Sequence, residues 1–263
     1  MENIKKFVSK RIVFPLATLK WKVFHPKILP RLGMKFIIDP QVVPYYITNK
    51  KTFQRLLPLF DFFVNENSIV LDIGASFGFY SIYSSKIRNA KKVIAFEPTK
   101  RSYDLFLKNI DVNDARNIVV HRVAVGEEKK KAKLYYEKNC FGGNSLMGKG
   151  ARYELVEVVP VDSLVPHADF IKMDVEGAEY DALMGMKQLL VQSKPPLIFE
   201  SSRNDGHIRS LLASLGYIFP FAIGHNVLAV HHHDEDKINF LRKVYEDFQG
   251  KTGIRINLKK LKE

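Results

Sequence analysis

VLDIGASFGFYS, running from Val70 to Ser81, joins an apolar run to a glycine turn and then to a segment of aromatic and small residues. SIVLDIG, residues 68–74, is short, apolar and closed by glycine, so it reads as a strand buried on both faces. FYSIYSSKI, residues 79–87, opens the helix that follows. In open parallel sheets, ligands bind beyond the carboxyl ends of the strands, where a glycine turn lets the backbone come close. Here Gly74 and Gly78 are separated by three residues, with Asp72 near the end of the strand. A dinucleotide fingerprint needs G-x-G-x-x-G. Ser76 holds its second glycine position, which argues against NAD.

Outward from this turn, strands and helices alternate at the rhythm of βαβ units, which predicts an α/β fold with a mostly parallel sheet and helices on both faces. KKVIAFE (91–97) is the second strand and a helix follows over about 100–111. NIVVHRVAV (117–125) is the third strand. AKLYYE and YELVEVVPV then alternate like antiparallel strands around the loop NCFGGNSLMGKG, whose Asn144 and Ser145 are candidates to face a substrate. ADFIKMD is the fourth core strand, PPLIFES (195–201) the fifth, and one helix over 178–190 joins them. IRSLLASLG is a helix, and YIFPFAI with HNVLAV forms a closing antiparallel pair. INFLRKVYEDF reads as a last amphipathic helix.

The chain has 41 Lys and Arg against 28 Asp and Glu, a formal charge of +13. Such a balance attracts phosphate, anionic lipid or acidic glycan without choosing among them. Nine basic residues and one acid, Glu2, fall in the first 35 positions, interleaved with Phe7, Phe14, Trp21 and Phe24. This segment is expected to be helical, either packed across the domain or resting on an anionic membrane surface. It has no apolar run of ~20 residues that could span a bilayer and no cleavable-signal pattern. The single cysteine, Cys140, excludes an intrachain disulfide and a cysteine-built metal site. It points to a reducing compartment, the cytoplasm, with peripheral membrane contact as a further expectation.

D-x-G-x-x-x-G followed by an acid that closes the next strand is similar to motif I of class I S-adenosylmethionine-dependent methyltransferases. In FEP, Glu97 stands 19 residues after Gly78. Two carboxylate oxygens match a vicinal diol, such as the ribose hydroxyls that the family holds with this acid. IKMDVEGAEYDAL (171–183), with VPVDSL before it and PPLIFES after it, resembles the FkbM family, whose signature is K-x-D-x-E-G-x-E. The resemblance covers about residues 66–230. It implies the Rossmann-like methyltransferase fold, S-adenosylmethionine as cofactor, and O-methylation of a sugar, glycan or other small-molecule hydroxyl. The implied cofactor contacts are Asp72, Gly74, Ala75, Gly78, Glu97 and Ala124. The expected organisation is a basic helical extension over 1–60, the methyltransferase domain over 61–236, and a C-terminal helix with a basic tail over 237–263.

Lys172 and Asp174 are two apart on a strand and so project to one side. A lysine in a strand covered on both faces needs a partner, and the candidates are Asp174 and Glu200 on the neighbouring strand. Asp174, Lys172 and Glu200 are therefore the candidate catalytic set, with Asp174 as general base. Alternatively Asp174, Glu200 and Glu176 hold Mg²⁺, whose preference is for hard oxygen ligands. Glu179 and Asp181 read as helix-start acids. The three histidines 231–233 are not expected to share an ion, because adjacent side chains on regular backbone cannot converge. A nucleic-acid methyltransferase is the competing enzyme reading, and the basic charge invites it. No N-P-P-Y/F-type motif is present, and one cysteine cannot run a two-cysteine mechanism. A non-catalytic membrane-surface or scaffold protein is the other alternative.

Overall fold

A computed structural model describes residues 28–37, 50–136, 145–148, 152–201, 205–234 and 237–239. In chain order the elements are β1 (Ile28–Arg31), β2 (Met34–Ile37), α1 (Lys50–Phe63), β3 (Ile69–Ile73), α2 (Phe79–Lys86), β4 (Lys92–Phe96) and α3 (Lys100–Asn113). They continue with β5 (Ile118–His121), β6 (Ala124–Val125), β7 (Lys130–Tyr135), β8 (Tyr153–Val159), β9 (Phe170–Met173), α4 (Glu179–Met184) and α5 (Lys187–Ser193). The last are β10 (Leu197–Glu200), α6 (Gly206–Ser214), β11 (Tyr217–Ile223) and β12 (Asn226–His231).

Seven strands form the main sheet in the order β11-β12-β10-β9-β3-β4-β5. The five from β10 to β5 run parallel, and β12 lies antiparallel to both of its neighbours. The chain leaves β3 toward β4 and β5, then returns to the other side of β3 to lay down β9 and β10. That reversal opens a crevice between the carboxyl ends of β3 and β9, where such sheets take ligands.

Alternation along the strands assigns two cores. Val70, Val93, Ala95, Phe170 and Ile198 face α1, α2 and α3, packing with Phe60, Phe79, Ile82 and Phe106. Leu71, Ile94, Phe96, Ile171, Met173 and Phe199 face the other way, onto Leu183, Met186, Leu190 and Leu212 of α4, α5 and α6. Period two then puts Asp72, Lys172, Asp174 and Glu200 on the face of α1 to α3. The register sets Asp72 opposite Lys172 and Lys172 opposite Ile198, so Glu200 comes level with Asp174.

Three expectations need correction. Residues 28–37, expected within a helical extension, form the hairpin β1–β2. Leu32 and Gly33 both take positive φ (49° and 78°), the two-residue turn that matches strand twist. Phe36 is buried against Phe77 and Phe79, and Asn109 and Asn113 of α3 bond the hairpin backbone. The third strand breaks after His121: Ala124 and Val125 pair instead with β8, in a small sheet of order β6-β8-β7. The helix expected over 178–190 is two helices. Gly185 lies so close to Gly126 that a Cβ would sit 2.0 Å from the Gly126 carbonyl oxygen. Asp162, from VPVDSL, then caps the second helix by accepting the Gln188 and Leu189 amides at 2.9 Å. Finally, the loop expectation narrows to Ser145, since Asn144 lies outside the described residues, as do residues 1–27 and the expected helix beyond Asn239.

Candidate functional site

The crevice is floored by Ile73, Phe96, Val125 and Leu134 and rimmed by three strand-end turns. After β3 come Gly74, Ala75 and Ser76, after β4 Glu97 and Thr99, and after β9 Asp174, Val175 and Glu176. Lys172 and Ala124 also line it, and Leu146 closes it from the loop beside β7. Ser145 Oγ donates to the Glu176 carbonyl at 2.6 Å, tying that loop to the acidic turn.

Glu97 is almost completely buried, and its two oxygens are held apart by backbone. Oε2 accepts the Ser76 amide at 2.8 Å and Oε1 the Thr99 amide at 2.9 Å. The Thr99 side chain also bonds the group, and the acceptor capacity that remains on the carboxylate is available to a ligand in the crevice. Burial pushes its pKa from 4.5 up to about 7, against the pull of those amide bonds. The native state therefore holds this proton more tightly than the unfolded chain does. The resulting stability is complete below about pH 4.5 and is lost as pH rises through about 7. Thermal melts should show the wild type losing up to about 3 kcal/mol relative to Glu97→Gln between pH 5 and 8. Parallel pH curves would remove this assignment.

On the opposite wall, Lys172 is nearly fully buried and donates to Asp174 Oδ2 at 2.8 Å. Its ammonium also lies 5.5 Å from the Tyr80 ring centroid and faces Asp72 across the β3–β9 ladder. Burial alone would raise Asp174, but the charge and bond of Lys172, with a hydrogen bond from Glu200, hold it below the usual range. Glu200 moves the other way, raised by burial and by the negative charges of Asp174 and Glu176. The two carboxyls thus share one proton at neutral pH. Glu176 takes a positive φ of 54° and Gly177 one of 99°. This turn carries Glu176 back over the strand end, so that Asp174, Glu176 and Glu200 bring carboxylate oxygens within 4.8 Å of one another. Hard oxygens so grouped fit a divalent cation such as Mg²⁺.

Residues 72–219, more than half of the chain, match the Methyltransferase FkbM domain. This chain belongs to the FkbM methyltransferase family. Similar proteins include Methyltransferase 1 of Beauveria bassiana (strain ARSEF 2860), 22% identical over 181 residues, which cover 58% of this chain and 73% of that one. Methyltransferase sdnD of Sordaria araneosa is 28% identical over 193 residues, covering 57% and 74%. Among solved structures, Methyltransferase FkbM from Methylobacillus flagellatus KT superposes with a TM-score of 0.49 at 18% identity. The superposition covers 74% of this chain and 63% of that one, so the chain spans less than two thirds of its length.

In this FkbM chain the crevice gathers Gly74, Ala75, Glu97, Ala124, Lys172, Asp174 and Glu176. It does not gather Asp72 or Gly78. The Asp72 carboxylate is buried behind the wall, accepting the Ser81 hydroxyl at 2.6 Å. Gly78, at φ 87°, begins α2, where a Cβ would strike the Phe106 ring. Glu200 stands behind Asp174 rather than on the lining. The Gly74 and Ala75 amides both donate to the Phe96 carbonyl, at 2.9 and 3.1 Å, so the turn offers shape rather than those two donors. Glu179 caps its own turn, accepting the Gly177 amide at 3.2 Å, consistent with a helix-start acid. Sequence reasoning missed Tyr80 and Leu146; an aromatic two residues past the glycine turn is the signal that could have found the first.

Proposed function

We propose that this FkbM-family chain is an S-adenosylmethionine-dependent O-methyltransferase acting on a hydroxyl of a sugar, glycan or other small molecule. One observation carries the reading: a crevice with a diol-matched carboxylate, Glu97, on one wall and a proton-sharing pair, Asp174 and Glu200, on the other. S-adenosylmethionine, when bound, supplies an electrophilic methyl group on a sulfonium. The apolar floor of Ile73, Phe96 and Leu134 suits an adenine ring, and Glu97 suits the ribose hydroxyls. Asp174 lines the crevice and would take the proton of an acceptor hydroxyl whose oxygen received that methyl group. Glu200 shares the charge through its bond to Asp174, and Lys172 keeps the pair anionic. Positioning of the two reactants contributes roughly 7–11 kcal/mol in well-oriented systems.

The fully ionised pair is the stronger base, so turnover should rise with pH through about 8. Glu200→Gln should flatten that rise. A second reading rests on the three converging carboxylates, with Asp174, Glu176 and Glu200 holding Mg²⁺ against the acceptor oxygen. The test is transfer from methyl-labelled S-adenosylmethionine to a panel of sugars, glycosides and lipid-linked saccharides, with RNA alongside. Label in a methyl ether, with turnover unchanged by EDTA, is the expected result. Loss in EDTA with recovery in Mg²⁺ favours the metal reading. Label only in RNA overturns the substrate class.

No helix among the described residues is long and apolar enough to cross a membrane. The single cysteine, Cys140, supports a reducing compartment such as the cytoplasm, and the basic character of the chain supports peripheral contact with anionic lipid, where lipid-linked acceptors would be concentrated.

A further inference from the structure

The second cavity lies at the far end of the sheet. β12 runs against the parallel strands, so its carboxyl end, His231, falls beside the residues that precede β3 and β9, Ser68 and Asp169. A cavity of about 550 Å³ opens there, bordered by His231, His233, Asp234 and Lys194. The chain leaves the strand after His231 and turns through His232 and His233. That departure from regular backbone defeats the expectation that adjacent histidines cannot converge. The His231 and His232 rings stack with centroids 4.5 Å apart, the His233 ring is tilted against them at 4.9 and 4.1 Å, and each offers a nitrogen within 4.8 Å of the others; His231 Nδ1 accepts the His233 amide at 3.3 Å, a long bond that an ion at this nitrogen would replace.

We propose that His231, His232 and His233 form a binding site for a late first-row divalent metal ion, of which zinc is the reference case. Three imidazoles suit zinc, cobalt or nickel and not magnesium or calcium. Tetrahedral coordination at about 2.1 Å needs ligand atoms about 3.4 Å apart, which rotation of the two exposed rings supplies. His232 already holds the tautomer that a metal-bound imidazole needs: its Nδ1 donates to the Gly216 carbonyl at 2.8 Å, leaving the lone pair on Nε2. The His232 amide donates to the same carbonyl at 2.9 Å. Gly216 makes the arrangement possible, since a Cβ there would lie 2.7 Å from His231 Nε2 and 2.8 Å from His232 Nδ1. Water from the cavity completes the fourth position. Because Gly216 precedes β11 and His231 ends β12, the ion would clasp the two ends of the closing hairpin. It lies at the opposite end of the sheet from the methyl-transfer crevice, so its role is structural.

The full chain, stripped with chelator and dialysed, would be titrated calorimetrically with Zn²⁺ and spectroscopically with Co²⁺. His232 and His233 are exposed, so the double variant H232A/H233A keeps the buried His231 and its contact with the Tyr217 ring. The wild type should bind one equivalent, show the visible bands of tetrahedral cobalt, and gain about 5 °C in Tm at a hundredfold excess over Kd. H232A/H233A should lose all three responses, while Asp174→Asn keeps them. No stoichiometric binding by the wild type, equal binding by H232A/H233A, or loss in Asp174→Asn would each overturn the site.

Discussion

Asp174→Asn should lower kcat by about 10²- to 10⁴-fold, the usual worth of a general base, with affinity for S-adenosylhomocysteine little changed. Asparagine keeps the volume and one oxygen, which can still accept the Lys172 ammonium now bonded at 2.8 Å. It cannot take up the acceptor proton, and it removes the charge that raises Glu200. Lys172 retains Asp72 across the ladder and the Tyr80 ring face, so the chain should stay folded. Turnover and melting temperature measured on the same preparation separate chemistry from stability. Turnover near wild type would remove both the base and the metal reading of this wall.

Gly74→Ala should cost more than about 4 kcal/mol, a large fraction of the roughly 5–15 kcal/mol that stabilises an ordinary domain. Two causes act at one position. The residue holds φ 77°, where an L side chain is strained by roughly 1–2 kcal/mol. Its Cβ would also lie 1.8 Å from the Asp174 carbonyl oxygen, a backbone atom fixed by the β3–β9 pairing. Gly177→Ala is the matched control, because φ is 99° there but nothing lies within 4 Å of the added carbon. It should cost only about 1–2 kcal/mol. Denaturant unfolding of the two variants reads the difference. A Gly74→Ala variant within 1 kcal/mol of the Gly177→Ala variant would mean that the two strand ends are not so closely packed.

These two positions also show what was legible in the chain. Lys172 and Asp174 could be placed on one side by alternation alone, whereas Asp72 and Glu200 join that face through the register of the neighbouring strands. Glu97 was legible through its distance from the glycine turn. What escaped depends on contacts between distant segments. Gly185 breaks a continuous helical pattern only because Gly126 packs against it. Asp162 looked like an ordinary loop acid, and its work is to cap a helix 26 residues away. Asp72 looked like a cofactor contact at the strand end, but its side chain turns to Ser81 on the covered face. The Leu32–Gly33 turn was a local signal, obscured by the basic pattern around it.

Calorimetric titration with S-adenosylhomocysteine, on the wild type and on Glu97→Ala with NAD as control ligand, tests the cofactor crevice most directly. Micromolar binding by the wild type, at least about 100-fold weaker in Glu97→Ala and absent for NAD, is the predicted result, since the variant strips the carboxylate from a buried diol site. No binding by the wild type, or equal binding by Glu97→Ala, would contradict the account.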